Sequence, residues 1–133
     1  MAEPTGPQLP PWLSVSTTAA VPPDAVVVSG AAGRTRDGLF TGWAAALAFP
    51  DYFGRNWDAL LDALRDLVER QRPTLVVTDA DELLADEPPA QLTTLLAVLG
   101  SVDDGSGQAL RVVLDTGPDD APTLRRRIAA ALS

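Results

Sequence analysis

FPDYFGRNWDALLDAL, residues 49–64, is the stretch from which the rest of the chain can be read. Its first part, Phe49-Pro50-Asp51-Tyr52-Phe53-Gly54, breaks regular structure, because proline fixes one φ angle and glycine ends the run. Asn56 then stands as an N-cap for a helix expected to continue to about residue 70. Trp57, Leu60, Leu61, Leu64, Leu67 and Val68 recur at helical spacing and form one wide apolar stripe that must pack on something. The other face carries Asp58, Asp62 and Asp66 at i, i+4 and i+8. Like-charge pairs on consecutive turns cost about 0.2–0.5 kcal/mol each, and aspartate is a poor helix-interior residue. The helix dipole favours only Asp58, in the first turn. Arg65 and Arg70 give local relief, Arg70 as the i+4 partner of Asp66. A stripe that works against its own helix suggests a use outside the fold.

Outward from this helix, three short β-branched runs at 25–29, 74–78 and 110–114 read as buried strands, each bounded by Gly, Pro or Asp. Helical patterns lie between them, over about 37–48 with Leu39, Phe40, Trp43 and Leu47 at core spacing, and over about 89–101 with Leu92, Leu95, Leu96 and Leu99 on one face. A last helix follows Pro118, with Asp120 as a cap, Pro122 in the first turn and Leu124, Ile128 and Leu132 facing inward. Strands separated by helices imply a mostly parallel sheet covered by those helices. The expected fold class is therefore α/β: a three-stranded, mostly parallel sheet packed against helices, with an extra C-terminal helix. Six prolines before residue 24 leave no periodicity there, so residues 1–24 read as a Pro-rich arm that Trp12 and Leu13 could pin to the body. The expected organisation is that arm, a domain over 25–117, and a C-terminal helix over 118–133 packed on it.

Composition narrows the chemistry. The 133 residues carry 18 acidic and 10 basic side chains, for a net charge of −8, with no histidine or cysteine. All the basic residues are arginine. That removes a Ser-His or Cys-His nucleophile pair, a Schiff-base or P-loop lysine and a Cys/His zinc site, so neither a metal nor a cofactor is expected. Absence of cysteine suits a reducing compartment, and with no secretory leader or apolar span in view the expected location is cytoplasmic. A strongly acidic chain repels nucleic acid and anionic membranes and attracts a basic protein surface.

Other motifs carry less. Asp115-Thr116-Gly117 after an apolar strand looks like the catalytic turn of an aspartic protease, and a carboxylate enzyme using Asp115 is one alternative. That chemistry needs two carboxylates sharing a proton, and the chain has one copy. Asp79, Asp81, Glu82, Asp86 and Glu87 form a second acidic cluster whose oxygens could hold a hard cation, but the spacing lacks the EF-hand glycine and reads as a solvated turn. Gly30 and Gly33 lack the full dinucleotide fingerprint and read as a turn. Arg125, Arg126 and Arg127 read as ordinary surface residues of the last helix.

The string from Phe49 to Leu64 resembles the signature of the barstar family of ribonuclease inhibitors: an aromatic pair, Gly-x-Asn, an apolar residue, Asp-Ala-Leu, one more residue and Asp. The order of strands and helices from about residue 25 to 115 is similar to that family's as well. The resemblance implies a non-enzymatic, one-to-one inhibitor of a basic ribonuclease or related nuclease toxin, monomeric when free, which places an acidic helix and the loop before it in the partner's active site. By resemblance Asp62 takes the place of the central aspartate, Asp58 that of its neighbour one turn earlier, and Tyr52 that of the loop aromatic. Taken together with the acidic stripe, the resemblance gives an expected partner-binding set of Tyr52, Phe53, Gly54, Asn56, Asp58, Leu61, Asp62 and Asp66. Leu61 stands where barstars often have tryptophan, and Asp66-Leu67 where they have a glycine-tryptophan pair, so the rim differs. The family's late glutamate has possible substitutes in Asp103 and Asp104. A cis bond at Arg72-Pro73 is expected on the same ground. The alternative partner is a basic protein that is not a nuclease.

Overall fold

A computed structural model describes residues 9–18, 21–103 and 109–132. Its sheet contains β1 (Leu13–Ser16), β2 (Val26–Ser29), β3 (Thr74–Thr78) and β4 (Arg111–Asp115), and its helices are α1 (Arg36–Ala46), α2 (Trp57–Arg70), α3 (Pro89–Val102) and α4 (Ala121–Leu132). The strands run in the order β1-β4-β3-β2, and every pairing is parallel. Alternation along the strands sends Leu75, Val77, Val112 and Leu114 into the core, as the two-residue period of a strand requires.

The α/β class holds, but the sheet has four strands rather than three. The additional strand comes from the segment read as an arm without regular structure. Leu13–Ser16 pairs with Val112–Asp115, almost a hundred residues downstream. Its prolines at 10 and 11 precede the strand, so they remove no ladder donor, and Leu13 N closes a turn on the Pro10 carbonyl at 3.0 Å. A four-residue edge strand with two apolar side chains has too little pattern to be seen from its own sequence. Trp12 and Leu13 do enter the core, and the Trp12 ring lies against α3 at Gly100, where an added Cβ would be in ordinary van der Waals contact at 3.4 Å.

The helices close over this sheet. Thr35 caps α1, its Oγ1 accepting from Gly38 N at 3.1 Å, and α1 buries Leu39, Phe40 and Trp43. From α2 come Leu60, Leu64 and Leu67, while Leu61, Trp57 and Val68 are half-buried at the border of the stripe. In α4 the inward positions are Ala121, Leu124, Ile128 and Ala131. Leu132, expected inside, is 37% exposed as the last residue of α4, although it shares a face with Ile128. No cis peptide occurs among the described residues, so Arg72–Pro73 is trans. The chain leaves α2 through an extended Gln71 and runs straight into β3 without a reversal. No helix of the described residues is long and apolar enough to cross a membrane.

Candidate protein-binding site

The loop before α2 is built outward from aromatic contacts. Leu47 closes α1 by donating its N–H to the Trp43 carbonyl, Ala48 turns left-handed at φ 57°, and Phe49 N bonds Ala44 O at 2.9 Å. Phe49 and Phe53 then pack with ring centroids 5.0 Å apart, and Phe40 of α1 meets Phe53 and Trp57 edge-on at 6.0 and 5.1 Å. Such geometry suits the ring quadrupole and holds the loop on the core. Tyr52, between the anchors, is 88% exposed. A large aromatic ring with so little cover is the most conspicuous apolar group on this side of the molecule.

Two residues set the start of α2. Asn56 Oδ1 accepts from Ala59 N at 2.7 Å, satisfying one of the helix's orphan donors, and Asn56 Nδ2 donates to Gly54 O at 3.3 Å. Arg55 adopts φ 55° and reaches back to α1, where it pairs with the Asp37 carboxylate and donates to Thr41 Oγ1 at 2.8 Å. The positive charge of Arg55 is thereby drawn toward α1. Trp57 Nε1 donates to Gln91 Oε1 at 3.1 Å, tying the first turn of α2 to α3.

Asp58, Asp62 and Asp66 all lie on the exposed face of α2. Asp62 and Asp66, with Ala59, Ala63 and Arg70, form one wall of a cleft of about 440 Å³ whose other wall is Ala48, Phe49, Pro50, Tyr52, Phe53 and Gly54. Asp58 does not line it. Among the described residues, neither Asp58 nor Asp62 forms an ion pair, whereas Asp66 meets Arg70 at 3.2 Å. Of the predicted residues, Tyr52, Phe53, Gly54, Asp62 and Asp66 therefore converge on one cleft. Asp58 stands beside it, Leu61 flanks the core, and Asn56 has its side chain engaged as a cap. The alanines at 59 and 63 and the cation at 70 were missed, although small residues directly after two stacked aspartates are a legible sign of an open groove.

The second acidic cluster is arranged differently. Arg34 pairs with Glu82 at 2.8 Å and with Asp86 at 2.9 Å, and this hydrogen-bonded guanidinium holds the Asp86 carboxyl below the usual carboxylate range. Glu87 Oε2 accepts from Arg36 N, and Asp81 Oδ1 accepts from Thr116 Oγ1. Leu84 N and Asp86 N bond Gly33 O and Arg34 O, so the 79–87 turn is laced to the loop after β2. No cluster of three candidate metal ligands occurs among the described residues. Gly30 and Gly33 do make a turn, and a Cβ at Gly30 would lie 2.3 Å from the Asp79 carbonyl, a contact only glycine allows.

Thr116 of the Asp-Thr-Gly motif is itself buried, and ties the end of β4 to that turn. Arg127 departs from its reading as a surface residue. It is half-buried and donates to the carbonyls of Asp81 at 3.1 Å and Leu83 at 2.8 Å. Burial lowers its pKa from the ordinary arginine value, with nearby Asp81 acting against the shift. Asp103 is half-buried at the end of α3, and Asp104 lies outside the described residues.

Comparison with known proteins bears on this site. A family model described as Barstar (barnase inhibitor) matches residues 24–115, which run from just before β2 to the end of β4. No curated protein matched the chain.

Proposed function

The chain belongs to the barstar family, and from that premise we propose that it inhibits a basic ribonuclease, or a related nuclease toxin, by filling the partner's phosphate-binding groove with the acidic face of α2. One observation carries this reading: α2 presents Asp58 and Asp62 to solvent without basic partners among the described residues, on a helix held by a buried stripe and a side-chain cap.

A groove that binds substrate phosphates is lined with cationic donors. Such donors accept a carboxylate as readily as a phosphate oxygen, and a carboxylate already oriented on a rigid helix loses little freedom on binding. Exposed Tyr52 adds aromatic area beside the charges, the kind of residue that anchors interfaces. The net charge of −8 draws a basic partner in, so association slows as salt rises.

In this reading the chain is a monomer that binds one to one, has no catalytic residue of its own, needs no cofactor, and contacts neither nucleic acid nor membrane. It acts in the cytoplasm, protecting a cell that makes the nuclease. The test is titration of a panel of basic microbial guanyl-type ribonucleases with the wild-type protein and with Asp62→Ala. Inhibition ending at one equivalent, and lost in the variant, is expected. Inhibition that survives Asp62→Ala unchanged would remove Asp62 from the site, and a basic partner that is not a nuclease becomes the reading if no ribonuclease is inhibited and a pull-down from the source cell yields another protein.

A further inference from the structure

The cleft between the aromatic loop and α2 already holds a cation. Arg70 lines it together with Asp62, Asp66, Tyr52 and Phe53, and its Nη2 lies 3.2 Å from Asp66 Oδ2. Both members of this pair are exposed, the Arg70 side chain by 66% and Asp66 by 70%. An exposed i, i+4 pair is a weak bond, worth about 0.3–0.5 kcal/mol, which corresponds to roughly twofold in an equilibrium. It is easily opened. We propose that Arg70 occupies, in the free protein, the place that a guanidinium of the partner takes in the complex, so that Asp66 exchanges an internal cation for an external one and thereby sets which partners are accepted.

The inference deepens the inhibitory reading and rests on it, since it assigns Asp66 and Arg70 opposite effects within the same cleft. Two features of the cleft favour a guanidinium as the incoming group. Its walls bring carboxylates at Asp62 and Asp66 together with the aromatic residues Phe49 and Tyr52, and a planar, weakly hydrated guanidinium both bridges carboxylates and stacks on aromatic rings. Its α2 wall is floored by Ala59 and Ala63, which leave space beside the carboxylates. Arg65 lies on the same helix, is exposed, and does not line the cleft. It therefore measures what a positive charge on α2 does without occupying that place. Asp58 serves likewise for the negative charges.

The test uses two probes, a hexa-arginine peptide followed by amide NMR shifts, and the ribonuclease that the wild-type protein inhibits. Variants are Arg70→Ala, Arg65→Ala, Asp66→Asn, Asp58→Asn and the double change Asp66→Asn with Arg70→Ala. Arg70→Ala should tighten peptide binding by about two- to threefold, in line with the weak pair it removes. Arg65→Ala should give less. The gain from Arg70→Ala should vanish when Asp66 is Asn, and should persist when Asp58 is Asn. An equal gain from Arg65→Ala, or a gain that survives Asp66→Asn, would overturn the exchange and leave only general charge. Peptide results as expected without inhibition of any ribonuclease would defeat the inhibitory reading and not the exchange. Inhibition lost in Asp62→Ala but indifferent to Arg70 and Asp66 would do the reverse.

Discussion

Two acidic clusters, one around residues 79–87 and one along α2, are treated by the fold in opposite ways. Around 79–87, Glu82 and Asp86 hold Arg34, Glu87 holds Arg36 N, and Asp81 holds Thr116. Along α2, Asp58 and Asp62 face solvent with no ion pair among the described residues, and Asp66 has only a weak, exposed one. The first cluster fastens the turn after β3 to the loop after β2, so its carboxylates contribute to stability. The second contributes little to stability and slightly opposes its own helix. Density of charge is therefore a poor guide to a binding surface. What distinguishes one is whether the acceptor atoms already have partners within the fold.

That contrast should appear first in a pair of equivalent truncations. Asp62→Ala should weaken the complex by about 2–5 kcal/mol while changing stability by less than about 0.5 kcal/mol. Asp86→Ala should leave affinity unchanged, and inhibition constants measured beside thermal unfolding separate the two. Next in size is Arg127→Ala, which removes two charge-assisted bonds to carbonyls of the turn and should destabilise by about 1–2 kcal/mol in urea unfolding, with affinity preserved. Asn56→Ala should cost about 1 kcal/mol as a lost N-cap. Because Asn56 is engaged within the helix, its affinity loss should be much smaller than that of Asp62→Ala, and a comparable loss in a binding titration would move Asn56 from cap to contact.

The smallest effect concerns acid. Arg34 depresses the Asp86 pKa chiefly through its hydrogen bond. A carboxyl depressed by folding adds stability above its unfolded pKa and loses it as pH falls through the folded value. Melting temperatures taken from neutral pH into the acid range should therefore fall less steeply for Arg34→Ala than for the wild type, and identical slopes would show that the pair contributes nothing.

The α/β class, the four helices and three of the four strands were legible because each rests on a local pattern: a β-branched run, a heptad-like stripe, a cap. β1 was not, since its four residues are ordered by a partner almost a hundred residues away. The acidic face was legible as an anomaly, three aspartates at i, i+4 and i+8 where a helix gains nothing from them. The cleft was not, because its second wall depends on how Phe49 and Phe53 dock against Phe40. Nor did the sequence separate Arg127 from its neighbours Arg125 and Arg126. Three consecutive arginines differ only in the direction each takes from the helix, and one of them points at the turn after β3.

The central claim is that the partner meets the outward carboxylates of α2 and not the engaged ones of the turn. Amide hydrogen exchange on the complex with an inhibited ribonuclease tests it most directly. Added protection over residues 52–54 and 58–66, with 79–87 unchanged, is the predicted result, whereas protection gathered on 79–87 with α2 exchanging as in the free protein would contradict it.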